Sequence, residues 1–290
     1  MRKTSLKIPK WVLFMSLCIV VVIAVFSLIL HQRNLSSQSN EFQGQIHPTA
    51  IPKKQTNSPP GVITNKTLKY LPIAVGKGVG TDWFSSWARE DDMLVYFQSD
   101  LNTITVPSKG KVGWNNPSFA NVIETESQWK GKVDVILYDY ELWEKTPEDE
   151  KADPGSASKK AQQYADQNNI MLLMGSSWKM VTSRDPSIVY GRINKEKIQT
   201  IARNVKNYGF NASGLRRTDD ESYLTWFKKC ASYAREANPS IKIWFMVNSQ
   251  DQTASEMLSM TNKLVGAIDG ISIMGNNRKS ITTFVSQIRQ

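Results

Sequence analysis

The chain has 290 residues, a formal net charge of +10 and two cysteines. Residues 1–33 hold five Lys or Arg and no acid, so the remainder has a net charge of only +5, spread along the chain. This spread gives no clustered basic surface and argues against nucleic-acid binding. Both histidines, His31 and His47, precede residue 63, which excludes histidine triads, Cys–His pairs and histidine zinc sites from the C-terminal region.

Residues 11–30 form an uncharged apolar run of twenty residues, long enough as a helix to span the roughly 30 Å hydrocarbon core of a bilayer. Four basic residues precede the run, which predicts that residues 1–10 are cytoplasmic and that the C-terminal bulk lies outside the membrane. The alternative is a cleaved signal peptide. The run exceeds a typical signal-peptide core, and residues 31–33 (HQR) make a poor cleavage site, so we predict an uncleaved anchor and a cell-membrane protein.

Residues 31–62 are rich in Ser, Gln, Asn and Pro, which predicts a flexible stalk. A folded domain is predicted over residues 63–290, and about 230 residues suffice to bury a core. Cys18 falls in the predicted membrane span, so Cys230 has no intramolecular disulfide partner. The glycine-rich segment 76–80 matches neither a dinucleotide fingerprint nor a Walker A loop and is interpreted as a turn. No cofactor and no metal are predicted.

From residue 63 onward, short apolar segments alternate with amphipathic helices. Strands are predicted at residues 71–75, 93–98, 133–141, 170–176, 211–216, 241–248 and 268–276. Helices are predicted at residues 153–167, 195–208, 218–238, 253–265 and 280–288, from Asp-Pro and Thr-x-x-Glu starts and a glycine stop at Gly209. This alternation predicts an α/β fold, a (β/α)8 TIM-barrel-like domain, complete or lacking a strand, with an open doubly wound sheet as the alternative.

The segment 133–143 (VDVILYDYELW) carries the main candidate for chemistry. In a strand, Val135, Leu137, Asp139 and Glu141 share one face, with the two acids at the C-terminal end, where barrel active sites are built. Residues two apart in a strand are separated by about 6.6 Å, so each carboxylate hinders the ionisation of the other and one pKa rises. Such a pair suits acid–base catalysis.

Two other interpretations of this pair stay open. The carboxylates could bind a ligand without chemistry. They could also be structural, with Asp139 capping the following loop and Glu141 paired with Arg216 or Lys179.

Other predicted strand ends are polar or aromatic and are candidates for substrate binding. Polar groups that converge on one rim suit a hydroxyl-rich ligand, and aromatic faces can stack on sugar rings. The alternative for these residues is loop capping or helix packing. The candidate residues are Trp143, Trp178, Ser176, Arg216, Asn248, Gln250 and Asn276.

The spacing Asp134-x4-Asp139-x-Glu141 resembles part of the family 18 chitinase signature, with Val135 at the usual glycine and Leu137 in place of one acid. That resemblance implies that Glu141 is the acid–base and that an N-acetyl group of the substrate acts as the nucleophile. Residues 130–276 also resemble secreted bacterial proteins of unassigned function, through YD-x-E-x-W at 138–143, TP-x-x-E at 146–150 and DP at 153–154. This second resemblance implies a glycosidase-type barrel of unknown substrate.

The sequence therefore predicts a membrane-anchored, extracytoplasmic glycoside hydrolase-like protein that acts on a cell-envelope polysaccharide. Glu141 is expected to be the acid–base, and Asp139 to orient it or to stabilise positive charge on the sugar. The alternatives are a non-catalytic barrel that binds polysaccharide or a partner protein, and a structural component of the envelope.

Overall fold

Eight parallel strands close into a barrel in the computed structural model, which describes residues 68–142, 144–183, 191–211 and 220–290. The barrel order is β1-β2-β3-β4-β5-β8-β9-β10, and β10 pairs back with β1. These strands are β1 Ile73–Gly76, β2 Met93–Phe97, β3 Lys111–Asn116, β4 Val135–Tyr140, β5 Met171–Ser177, β8 Asn207–Asn211, β9 Lys242–Asn248 and β10 Gly270–Met274. A separate antiparallel pair joins β6 Thr182–Ser183 to β7 Arg192–Ile193.

Helices follow most of the barrel strands, as in a (β/α)8 fold. They are α1 Thr81–Trp87, α2 Phe119–Glu124, α3 Glu126–Trp129, α4 Glu148–Ala152, α5 Pro154–Gln167, α6 Trp178–Val181, α7 Lys195–Ala202, α8 Asp220–Ala237, α9 Ala254–Asn262 and α10 Arg278–Arg289. The prediction of a TIM-barrel-like domain is confirmed at the level of a closed eight-stranded parallel barrel, and the alternative of an open sheet is excluded.

Each strand has one face inside the barrel and one face toward the helices. The interior holds a small apolar cluster composed of Ala74, Met93, Val95, Val135, Leu137, Leu173 and Trp244. Gly270 makes room for Trp244, because a Cβ at that position would lie 2.6 Å from the indole ring. Ile271 and Ile273 belong to the larger cluster between barrel and helices, as their alternation with Ser272 predicts.

Two helix starts have the predicted caps. The Asp153 carboxylate accepts a hydrogen bond from the Ser156 N–H at 2.9 Å, directly before the proline that begins α5. Thr253 and Glu256 form both bonds of a capping box before α9. These side chains satisfy N–H groups that have no partner within the helix.

The helix predicted at residues 195–208 is too long, because α7 ends at Ala202 and β8 begins at Asn207. Tyr208 and Phe210 are buried toward the helices, and Gly209 between them is a strand residue and no helix stop. The predicted strand 211–216 overlaps β8 only at its first residue, and the rest lies outside the described residues.

Strand β3 was not predicted from the sequence. Its residues, KVGWNN, include a glycine and three polar side chains, so the apolar signal is weak. Pairing with β2 and β4 on either side nevertheless buries this strand.

The predicted membrane span at residues 11–30 and the predicted stalk at residues 31–62 lie outside the described residues. Within the part of the chain that the structure describes, no helix is both long and apolar enough to cross a bilayer. Cys230 is a buried free thiol in α8.

Aspartates that precede strands fix the register at the N-terminal end of the barrel. Each carboxylate accepts a hydrogen bond from a backbone N–H at or near the start of the preceding strand, at 2.7 to 2.9 Å. Buried N–H groups at a strand start need such a partner because no ladder bond reaches them. The three pairs are Asp92 with Ile73, Asp134 with Val112, and Asp269 with Ile243.

Asp92 also forms the most buried ion pair among the described residues. Its Oδ1 lies 2.5 Å from Nη2 of Arg289, and the two side chains are 1% and 12% exposed. The Arg289 Nη1 donates to the carbonyl of Leu71 at 3.0 Å, which ties α10 to the chain just before β1. Burial raises the pKa of Asp92 although Arg289 and two backbone N–H groups oppose the rise. The partners of Asp92 therefore offset only part of the effect of burial on its pKa.

We expect Arg289→Met to lower the free energy of unfolding by about 3 kcal/mol, because it leaves the Asp92 charge buried without a cation. Lys111→Met is the matched control. Lys111 pairs with the neighbouring Asp91 at 3.3 Å, but both of those side chains are exposed, so a loss below about 1 kcal/mol is expected. Urea denaturation of both variants measures the difference, and equal losses would contradict the role assigned to Arg289.

Candidate functional site

The acids of β4 are positioned by the alternation of that strand. Val135 and Leu137 fill the barrel interior, and Asp139 follows them on the same face at the C-terminal end. Glu141 comes two residues later, just beyond the strand, and is half-buried. Both predicted acids therefore lie at the mouth of the barrel.

The opposite face of β4 is held by Glu150. The Glu150 carboxylate accepts hydrogen bonds from the hydroxyl of Tyr138 at 2.5 Å and from the N–H groups of Phe119 and Ala120 at 3.1 and 2.9 Å. Tyr140 donates to the Glu150 carbonyl at 3.1 Å. With both tyrosines anchored outward, the residues between and beyond them must face the mouth.

Neutral amides contact the two carboxylates. Asn115 Nδ2, on β3, donates to Asp139 Oδ2 at 3.3 Å, and Asn211 Nδ2, at the end of β8, donates to Glu141 Oε1 at 3.3 Å. Within the described residues neither acid forms an ion pair. The predicted contact of Glu141 with Lys179 is absent there, and Lys179 acts on Glu141 only through longer-range attraction. Arg216, the other predicted partner, lies outside the described residues.

Burial raises the pKa values of both acids toward neutral pH. Burial raises the pKa of Asp139 to about 6, against the opposing hydrogen bond from Asn115. Burial, together with the negative charge of Asp139, raises the pKa of Glu141 to about 7, and Lys179 partly offsets this rise. The negative charge of Asp139 therefore couples the ionisation of Glu141 to its own.

Two adjacent cavities lie at the mouth. A cavity of about 40 Å³ surrounds Asp139, and one of about 400 Å³ lies beside it, between β1, β2 and β10. They share the lining residues Asn115, Leu137, Met246 and Ser272. The larger one falls in the size range of small-molecule sites. A surface cleft of about 840 Å³ lies at the opposite end of the barrel, lined by strand starts and remote from both acids.

Three of the predicted substrate-binding residues lie at the end of β9 or in the loops that follow β9 and β10. Gln250 and Asn276 line the 400 Å³ cavity and are hydrogen-bonded to each other at 3.3 Å. Asn248 is buried and stabilises its own loop, accepting from the Gln250 N–H at 2.9 Å. This contact agrees with loop capping, the alternative role predicted for Asn248.

Trp178 is half-buried against the helix-side core, outside the linings of the two mouth cavities. Trp143 lies outside the described residues.

Ser176 was predicted to face the rim, and this placement is corrected. Its hydroxyl accepts a hydrogen bond from Tyr208 at 3.1 Å in the layer between barrel and helices. Strand β5 extends one residue farther than predicted, so Ser176 is not its last residue. Side chains alternate along β5, and the inward positions are Leu173, Gly175 and Ser177, which leaves Ser176 facing the helices. Ser177 is buried at the inward position, and its hydroxyl has no partner among the described residues.

Several residues that the fold brings to the mouth were not among the predicted site residues: Phe97, Asn115, Asn211 and Met246. Alternation along each strand is the signal that could have found Phe97, since it lies two residues after the inward Val95. Asn115 required recognition of β3. No group of three or more His, Cys, Asp or Glu in the described ranges is arranged to hold a metal ion.

No protein-family model matches the sequence, and no curated protein matches it. Solved structures do resemble the fold. An archaeal fructose-1,6-bisphosphate aldolase matches with a TM-score of 0.46 and 10% identity, over 77% of this chain and 98% of that chain. The protein CitE from Mycobacterium tuberculosis, in complex with magnesium and pyruvate, matches with a TM-score of 0.47 and 11% identity, over 77% and 92%. A family 18 chitinase from Crocus vernus matches at 0.39 and 12%, over 62% and 70%.

The prediction of a glycoside hydrolase acting on a cell-envelope polysaccharide is wrong, and so is its alternative of a non-catalytic polysaccharide- or partner-binding barrel. The matches with TM-scores of 0.45 to 0.48 are aldolases, carboxyl transferase domains and CitE. The family 18 chitinase matches the barrel with a TM-score of 0.39, which is lower than those of these other matches. At these identities all of the matches concern the fold alone.

We expect Asp139→Asn to raise the melting temperature by roughly 4 °C at pH 8, with the gain shrinking as the pH falls toward 4. The folded pKa of about 6 exceeds the unfolded value of 3.8, so ionising Asp139 above pH 6 costs stability, on the order of 2 kcal/mol. Asparagine removes that cost and still accepts from Asn115.

Asp91→Asn provides the control for this measurement, because Asp91 is largely exposed and no pH-dependent gain is expected. Scanning calorimetry from pH 4 to 8 compares the variants with the parent. A melting temperature of Asp139→Asn at or below that of the parent at pH 8 would contradict the raised pKa.

Proposed function

We propose that this protein is an acid–base enzyme that moves a proton next to a carbonyl group of a small molecule bound at the barrel mouth. The observation that carries the proposal is the pair of carboxyls, Asp139 and Glu141, which share one face at the barrel mouth and whose pKa values burial raises to about 6 and about 7. A catalytic group is most effective when its pKa lies near the working pH.

The proposed roles follow the positions of the two acids. Asp139, which lines the small cavity at the mouth, takes the proton from carbon, and Glu141, two residues farther along the same face, donates a hydrogen bond and then a proton to the carbonyl oxygen. The C–H electron pair moves into the C–C bond as the carbonyl becomes an enol. A neutral carboxyl that donates to a developing oxyanion is an established way to stabilise an enolate.

The surroundings support these roles. Asn115 and Asn211 are neutral donors, so they orient the carboxyls without the strong lowering of pKa that an arginine contact would produce. Asp139 lines the smaller cavity at the mouth, and the larger cavity shares four lining residues with it.

Proton exchange in D₂O tests the proposal. The protein is incubated near pD 7 with a panel of neutral ketones, 2-oxo acids and hydroxyketones, and C–H to C–D exchange is followed by ¹H NMR. We expect exchange in one of these classes, fastest between about pH 6 and 7. Asp139→Asn should slow it by at least about 10²-fold, and Glu141→Gln by a comparable factor.

Glu148→Gln is the matched control, because Glu148 is an exposed acid of α4 paired with Lys151, away from the mouth cavities. Its exchange rate should equal that of the parent. Absence of exchange across the panel, or exchange that survives in both Asp139→Asn and Glu141→Gln, would overturn the proposed function.

We also propose that the barrel is held outside a cell membrane by residues 11–30, through a stalk formed by residues 31–62. The uncharged run and the basic residues before it support this arrangement. The full chain should stay in the membrane pellet after alkaline carbonate washing, and external protease should release a fragment that contains the barrel. A mature protein that lacks residues 1–30 would show a cleaved signal peptide instead.

A further inference from the structure

We infer that the substrate of this site is an uncharged molecule with an apolar body, carrying its reactive carbonyl at one end. The inference deepens the proposed function and rests on it for the carbonyl end. The apolar body is argued separately, from the walls of the 400 Å³ cavity.

Apolar side chains form most of the cavity wall. Phe97 stands at the rim with 45% of its surface exposed, at the inward position that follows Val95 along β2. Met246 and Met274 line the wall on the side of β9 and β10, and Leu137 lies between this cavity and the smaller one around Asp139. Methionine side chains adapt to the shape of an apolar ligand, and an aromatic ring offers a flat contact surface.

Three polar side chains of the same wall, Lys77, Gln250 and Asn276, already have protein partners. Lys77, the cation in the described lining, forms an ion pair with Asp100 at 2.5 Å. Gln250 bonds to Asn276. A phosphate or carboxylate on the ligand would have to share the Lys77 ammonium with Asp100, and ionised Asp139 and Glu141 at the acid end would repel it.

The two ends of the site therefore favour different parts of one ligand. The acid end offers hydrogen-bonding carboxyls and amides, and the cavity offers apolar surface that burial of an alkyl or aryl group would remove from water. A neutral ketone with a ring or chain of moderate size satisfies both. Bis-phosphorylated sugars, the ligands of the aldolases that share the barrel, do not fit this wall.

Gly76 gives a direct way to fill the cavity. It lies at the inward position after Ala74, with φ of −67° and ψ of 149°, which any residue can adopt. A Cβ there would have no neighbour nearer than the Gly275 carbonyl at 4.0 Å. Gly76→Leu should therefore project an apolar side chain into the cavity without straining the backbone.

The experiment uses 6-propionyl-2-(dimethylamino)naphthalene, a neutral aryl ketone whose emission shifts to the blue in apolar surroundings. We expect saturable binding to the parent protein with a blue shift, weakened at least tenfold in Gly76→Leu and several-fold in Phe97→Ala. Ile123→Ala is the matched control, because Ile123 is 47% exposed on α2 and lies outside the cavity lining, and its affinity should be unchanged. Inorganic phosphate at millimolar concentration should not displace the dye.

Equal affinity of Gly76→Leu and the parent, with both folded by circular dichroism, would overturn the inference, as would displacement by phosphate. Binding requires no proton transfer, so Asp139→Asn should still bind the dye. Dye binding without C–H exchange would remove the acid–base proposal alone, and exchange in charged substrates without dye binding would remove the apolar-substrate inference alone.

Discussion

The seam between β1 and β10 is the constraint on which the barrel depends. A parallel barrel has no free edge only if its first and last strands pair, and here the strands at that seam are short. Asp92 joins the start of β1 to β2, and Arg289 from the C-terminal helix binds both Asp92 and the Leu71 carbonyl. The closing contact thus brings together residues that lie almost two hundred positions apart in sequence.

Once the seam is closed, strand alternation decides which side chains reach the mouth. In β4 the inward residues are apolar until the strand nears its end, where Asp139 replaces them, and Glu150 fixes the two tyrosines on the other face. A shift of one residue would bury Tyr138 in the barrel and expose both acids to the helices. The hydrogen bonds on the helix-facing side of β4 therefore keep the two acids on its inward face.

The N-terminal and C-terminal ends of the barrel use carboxylates in opposite ways. At the N-terminal end, Asp92, Asp134 and Asp269 are satisfied by backbone N–H groups or cations and act as structural links. At the C-terminal end, the side-chain donors to Asp139 and Glu141 among the described residues are amides at 3.3 Å, and the pKa values of both acids are raised toward neutral pH. Burial without full compensation destabilises the folded protein there and leaves those protons available for transfer.

The sequence by itself determined the parallel α/β class, most strand positions, the capped starts of α5 and α9, and the shared face of Asp139 and Glu141. Each of these follows from local rules: apolar periodicity, capping side chains and the alternation of a strand. Strand β3, the true extent of α7 and the outward position of Ser176 were decided by tertiary structure. Their local signals were weak or off by one residue, and pairing with neighbouring strands fixed them.

The sequence also did not predict most of the residues that line the barrel mouth. Phe97, Asn115 and Asn211 come from three different strands, and the barrel places Asn115 and Asn211 against the two acids and Phe97 on the wall of the larger cavity. The pKa values depend on burial and on those neighbours, which no spacing of residues encodes. A sequence states which side chains are present and which face of a strand they share; the closed barrel sets the distances between them, and those distances decide the chemistry.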